Sequence, residues 1–139
     1  VIRYVLDTDH VTFHFRGHSQ VGQKLTAIPP DEIATTTITA EEQLRGRLAQ
    51  IKKASTADAL ATAHRRFRQA IYDLAKLNIL EFDSAAIAIF ADLKRLFPQA
   101  GSQDLRIAAI ALANNATIVT RNRADFGQIP GLTIEDWTV

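Results

Sequence analysis

Carboxylates carry the chemistry this chain can do. They stand in four short segments: Asp7 and Asp9 in Leu6-Asp7-Thr8-Asp9, the pair Glu41-Glu42, Asp104, and Asp125 shortly after Thr120-Arg121-Asn122. Each adjoins a stretch that reads as a strand end or a helix start. Like charges brought together repel unless a counter-ion sits among them. Oxygen-only donors suit a hard divalent cation such as Mg²⁺ or Mn²⁺. A cation so held activates water and offsets charge on a phosphoryl oxygen, so phosphodiester chemistry is the expected use. No cysteine is present, which removes disulfides, thiolate catalysis and cysteine-based zinc sites.

The elements that position these groups alternate. Residues 2–6 are apolar and read as a first strand, closed by Asp7-Thr8-Asp9. A short helix or turn follows over 10–15 and breaks at Gly17. A longer helix starts near Gly17 or Ser19 and must end at Pro29-Pro30. Residues 33–38 read as a second strand, and Thr39-Ala40-Glu41-Glu42 has the spacing of a capping box. Leu60, Ala63, Phe67, Ala70, Ile71 and Leu74 predict one face of a helix over 56–76, capped near Ser55 or Thr56. Residues 79–82 form a third strand. Asp83 caps a helix with Ala86, Ile89, Phe90, Leu93 and Leu96 inward, closed by Pro98 and Gly101. A nearly all-apolar helix over 103–114 should be buried. Residues 117–120 read as an interior parallel strand. Residues 132–134 form an edge strand, and Trp137 packs onto the body. The order predicts a single α/β domain over residues 1–139, three layers α/β/α around a short, mostly parallel sheet. The helical pair between the second and third strands projects as a hairpin, a contact surface.

Composition bounds the rest. Of 139 residues 47% are hydrophobic, enough for one core, and the formal net charge is +1. That charge argues against holding nucleic acid by bulk attraction but leaves room for a basic rim. Arg45, Arg121 and Arg123 lie near the carboxylates in sequence. Lys52-Lys53 and Arg65-Arg66-Arg68 read as solvated helix faces. No segment is long and apolar enough to span a membrane, the start reads as a strand and not a signal peptide, and a reducing cytoplasm is expected. His10, His14 and His18 would align on one continuous helix, but Gly17 argues against it. His10 reads better as solvated or RNA-facing, and His64 as a surface residue.

Taken together, the blocks Val5-Leu6-Asp7-Thr8-Asp9, Ile38 to Gly46, Asp104-Leu105-Arg106-Ile107-Ala108-Ala109, Ile118 to Phe126 and Ile129 to Trp137 resemble PIN-domain ribonucleases, specifically VapC-type toxins of bacterial toxin–antitoxin pairs. The resemblance covers essentially the whole chain. It selects Glu42 over Glu41, and implies that Asp7, Glu42, Asp104 and Asp125 are the catalytic and metal-binding set. Asp9, Thr120 and Asn122 would support it, and Arg45, Arg121 and Arg123 would bind RNA phosphates. It further implies a Mg²⁺- or Mn²⁺-dependent endoribonuclease acting on structured RNA, such as transfer RNA or ribosomal RNA loops. Products would carry 5′-phosphate and 3′-hydroxyl ends. A homodimer and a small antitoxin that crosses the site would complete the picture. The alternatives are a non-catalytic binding module on the same fold and a metal-dependent DNA nuclease.

Overall fold

The computed structural model describes residues 1–139. Five strands, β1 (Tyr4–Leu6), β2 (Ile33–Thr36), β3 (Asn78–Leu80), β4 (Thr117–Val119) and β5 (Ile134–Glu135), form one sheet in the order β3-β2-β1-β4-β5. Every pairing is parallel, so the expected mostly parallel sheet is wholly so. The helices are α1 (Thr8–Phe15), α2 (Ser19–Ala27), α3 (Thr37–Lys53), α4 (Ala57–Ala75), α5 (Ser84–Leu96), α6 (Ser102–Ala113) and the short α7 (Arg123–Phe126).

The period of two along the central strands sorts the core into two layers. Val5 and Ile118 pair in register and face the cluster built with α5 and α6. Their neighbours Leu6 and Val119 face the opposite cluster, with Val11, Val21, Ile33 and Trp137. The all-apolar helix predicted near residue 103 is α6, and it buries Leu105 and the whole run Ile107 to Ala111.

Local chemistry sets the ends. The Asp83 side chain accepts from Ala86 N at 3.0 Å and caps α5, and Thr56 caps α4 through Ala59 N at 3.1 Å, both as expected. Gly17, at φ 78°, ends α1 in the left-handed region. There His18 N donates to Phe13 O and Gly17 N to His14 O, the paired closure that favours glycine. Asn115, at φ 53°, makes the turn from α6 into β4.

Several expectations fail, among them the bounds of β3, which ends at Leu80 and not 82, and of the edge strand, which is Ile134–Glu135 and not 132–134. The second strand stops at Thr36, and α3 starts at Thr37 with Thr36, not Thr39, as its cap: Thr36 Oγ1 accepts from Thr39 N at 3.1 Å. Thr39 and Glu42 are therefore inside the helix, and no capping box joins them. Leu60 and Ile71 are 42% and 44% exposed, because little besides α3 covers α4. Leu96, placed inward by its period, is 61% exposed at the last turn of α5.

Candidate functional site

The site lies where β1, β2 and β4 end and helices begin, the edge at which parallel α/β sheets present functional groups. Asp7 follows β1 directly and is 6% exposed. Its Oδ1 accepts from Thr8 N at 2.7 Å, capping α1, and its Oδ2 accepts from Thr120 Oγ1 at 2.8 Å, just past β4. Thr120 Oγ1 also accepts from Asn122 N at 2.9 Å, so one hydroxyl ties β1, β4 and the following loop.

Asp9, two residues on, accepts from Arg121 N at 3.0 Å and from His10 Nδ1 at 2.8 Å. His10 is wholly buried, not solvated or RNA-facing as the sequence led us to expect. Its Nε2 accepts from Trp137 N at 3.1 Å, so the ring's proton sits on Nδ1 and points at Asp9. The three histidines do not share a face: His10 spans Asp9 and the C-terminal segment, while His18 lies past the break at Gly17 and caps α2 through Val21 N at 3.3 Å.

Glu42 rides the second turn of α3, half-buried, with the Thr8 hydroxyl beside it and Thr8 in turn 3.1 Å from Thr39 Oγ1. Glu41, next to it, faces solvent and pairs with Arg45 at 2.9 Å. Asp104 sits in the first turn of α6, where the dipole favours a carboxylate. Asp125 is exposed and held in a reciprocal pair: Asn122 Nδ2 donates to Asp125 Oδ2 at 2.8 Å, and Asp125 N donates to Asn122 Oδ1 at 3.3 Å.

Electrostatics link these groups across the edge. Burial, then the Asp9 charge, pushes Asp7 up from 3.8 to about 6, against the hydrogen bonds from Thr120 and Thr8. Burial, then Asp104, raises Glu42. Burial, then Asp125 and Asp9, raises Asp104. Five carboxylates from four segments thus share one field. Their oxygens do not close on a common point, and no three of these side chains are placed to touch one ion together. The donor chemistry fits a hard cation, and the mutual repulsion is what a cation relieves.

The arginines divide. Arg45 is spent on Glu41, and the Arg121 guanidinium stacks over the Phe13 ring at 5.9 Å. Arg123 is exposed at the start of α7. Sequence reasoning missed Thr8, whose N–H donates to Asp7 and whose hydroxyl meets Thr39, and the link from His10 to Trp137. Its only signals were a hydroxyl beside the first carboxylate and an aromatic near the end.

Residues 4–132 match the PIN domain profile. Two curated relatives align over 68 residues, 46% of this chain: "Ribonuclease VapC2" of Rickettsia felis at 37% identity, and "tRNA(fMet)-specific endonuclease VapC" of Salmonella typhimurium at 35%. The alignments span about half of each relative, 51% and 52%. Among solved structures, a DNA-bound VapBC from Salmonella typhimurium superposes with a TM-score of 0.82 at 22% identity, over 99% of both chains, a likeness of fold. Because the profile spans nearly the whole chain, this chain belongs to the PIN-domain family.

Proposed function

We propose that this chain is a metal-dependent endoribonuclease of the VapC toxin type, cutting structured RNA such as transfer or ribosomal RNA loops in the cytoplasm and neutralised by a cognate antitoxin. The observation that carries the reading is the shared field of Asp7, Asp9, Glu42, Asp104 and Asp125 at one sheet edge. The names of the two curated relatives support RNA as substrate.

Asp7, Glu42, Asp104 and Asp125 would hold Mg²⁺ or Mn²⁺. When bound, the cation supplies an activated water and charge compensation at phosphorus. Mg²⁺ gives up its waters reluctantly, so some of these carboxylates would act on it through water. The protein's part is positional. Thr120 and Thr8 fix both oxygens of Asp7, and Asn122 fixes Asp125 for metal contact or for accepting a proton. Arg121 and Arg123 contact backbone phosphates, joined by Arg45 when it exchanges Glu41 for RNA. The exposed apolar residues of the hairpin, Leu48, Leu60, Ile71 and Tyr72, support a homodimer.

The test is to express the chain inducibly and map cleaved ends across total cellular RNA, then repeat with purified protein with and without chelator. Discrete cuts, lost on chelation and in Asp104→Asn, are expected. Identical maps from wild type and Asp104→Asn would sink the reading and favour the binding module.

A further inference from the structure

We propose that the groove between α1, α3 and α4 is an extended subsite for the RNA backbone, gripping phosphates away from the cleaved bond. This rests on the nuclease reading above and adds to it a place and a set of residues.

The groove holds about 390 Å³ and is lined by Arg16, Arg47 and Arg66, one from each helix or its end. None of these three guanidiniums joins any of the chain's ion pairs. Arg47 Nε is enclosed and has no hydrogen-bond partner, while its Nη1 reaches Gln50 Oε1 only at 3.3 Å. A buried guanidinium N–H without an acceptor is costly and calls for one. Gln43 braces the wall, its Nε2 donating to Thr12 Oγ1 at 2.9 Å, and Asp73 is engaged by Gln69 Nε2 at 2.9 Å.

Two features choose the ligand. Glu42 lines the same groove, so it opens onto the carboxylate edge, and a strand lying there continues from the reacting phosphate. Three guanidiniums and three amides outnumber the two carboxylates, Glu42 and Asp73, and Phe15 and Ala70 alone are apolar, which suits phosphate forks and one stacked base. A peptide would need an apolar anchor pocket, and the groove has none. Arg45, tied to Glu41 outside this groove, is therefore the weaker phosphate ligand.

The experiment is fluorescence polarisation of a labelled, mixed-sequence single-stranded RNA in chelator across a salt series, with thermal melting of each variant. Arg47→Ala should weaken binding about tenfold, and Arg66→Glu, on an exposed position, by at least as much. Each lost phosphate contact should flatten the salt slope by about 0.7. Arg95→Ala, on α5, is the control and should bind as wild type. If wild type cuts RNA but Arg47→Ala and Arg66→Glu keep its affinity and slope, the subsite is wrong and the nuclease reading survives. If wild type neither binds nor cuts RNA, both fall. If the variants keep RNA affinity but lose a protein partner, the groove is a peptide seat and the proposal is overturned.

Discussion

Helix α6 and the α3–α4 hairpin are built on opposite plans. The helix buries six of its 12 residues, whereas α3 buries two of 17 and α4 three of 19. One is wedged between the sheet and α5, and it holds Asp104 on a rigid base. The other touches the body mainly at the root of α3 and leaves Leu48, Leu60, Ile71 and Tyr72 exposed. Chemistry needs fixed geometry, and on the proposed function the end of the buried helix supplies it for Asp104. Contact with other molecules needs surface, and the hairpin provides it. Glu42 sits at the junction, on the first turns of the hairpin yet close enough to Asp104 to feel its charge.

The largest expected effect tests the rigid side. Asp104→Asn removes one charge from the shared field without changing shape. On the proposed mechanism it should cost roughly 10³-fold in cleavage rate, about 4 kcal/mol of barrier, while the melting temperature stays within a few degrees or rises. Single-turnover cleavage of a mapped RNA site measures it. A loss of less than about threefold would place Asp104 outside the chemistry and break the division between the two regions.

Next comes stability. Ile110→Ala on α6 should destabilise by about 2–5 kcal/mol, because the site is wholly buried and cannot refill. Leu60→Ala on the hairpin should stay within about 0.5 kcal/mol for the isolated chain, since Leu60 is already 42% in water. Urea melts at low protein concentration separate them. Equal losses would mean that the hairpin is as cooperative as the core. A loss from Leu60→Ala that grows with protein concentration would instead point to the dimer.

The third tests the field itself. Asp7 titrates near 6 in the folded chain and near 3.8 in the unfolded one. Between those values the folded state binds the extra proton, so its stabilising contribution is full below about pH 4 and is lost as pH rises through 6. In metal-free protein, Asp7→Asn should remove about 3 kcal/mol of that decline and melt higher than wild type at pH 7. Asn still caps α1, which keeps the comparison clean. Mn²⁺ should reverse the order by stabilising wild type alone. Because the lowered His14 makes total stability rise over the same range, the readout is the difference between the two proteins, and an advantage of Asp7→Asn that does not grow from pH 5 to pH 7 would deny the crowding of carboxylates.

Much of this was legible from residues, because local signals and their tertiary outcome agreed. Asp83 and Thr56 cap the helices expected of them, and the apolar run after Arg106 is the central helix. The start of α3 was not legible. Thr35, Thr36, Thr37 and Thr39 can all cap or extend, and the choice is made by long-range pairing, with Thr36 set opposite Leu80 and Thr35 Oγ1 donating to Leu6 O at 2.9 Å. Periodicity named a face on α4 but carried no information on whether anything would cover it, so Leu60 and Ile71 were misplaced. Asp7, Asp104 and Asp125 stand at the strand end and helix starts where a linear reading put them, whereas Glu42 lies inside α3. Thr8 and the groove arginines depend on which helices meet, which a linear reading does not contain.

His10 is the clearest case of a role set at a distance, and it yields the smallest predicted effect. The ring links Asp9 to the backbone of Trp137, so it fastens the C-terminal segment to the carboxylate edge. Two substitutions split the link. His10→Asn places an amide where Nδ1 stood and can still donate to Asp9, but it leaves the buried Trp137 N–H without an acceptor. His10→Gln reaches toward Trp137 and gives up the donor to Asp9. The orphaned N–H costs about 1–3 kcal/mol, so His10→Asn should lose more stability. Asp9 is 31% exposed at its side chain and can take water instead, so His10→Gln should melt closer to wild type and lose cleavage rate, about threefold to tenfold, through a less fixed Asp9. Melting and single-turnover rates on the same samples give both readouts. If the two variants lost stability and rate in the same proportion, His10 would be a packing residue, and the C-terminal segment would belong with the hairpin as surface and not with the rigid frame of the site.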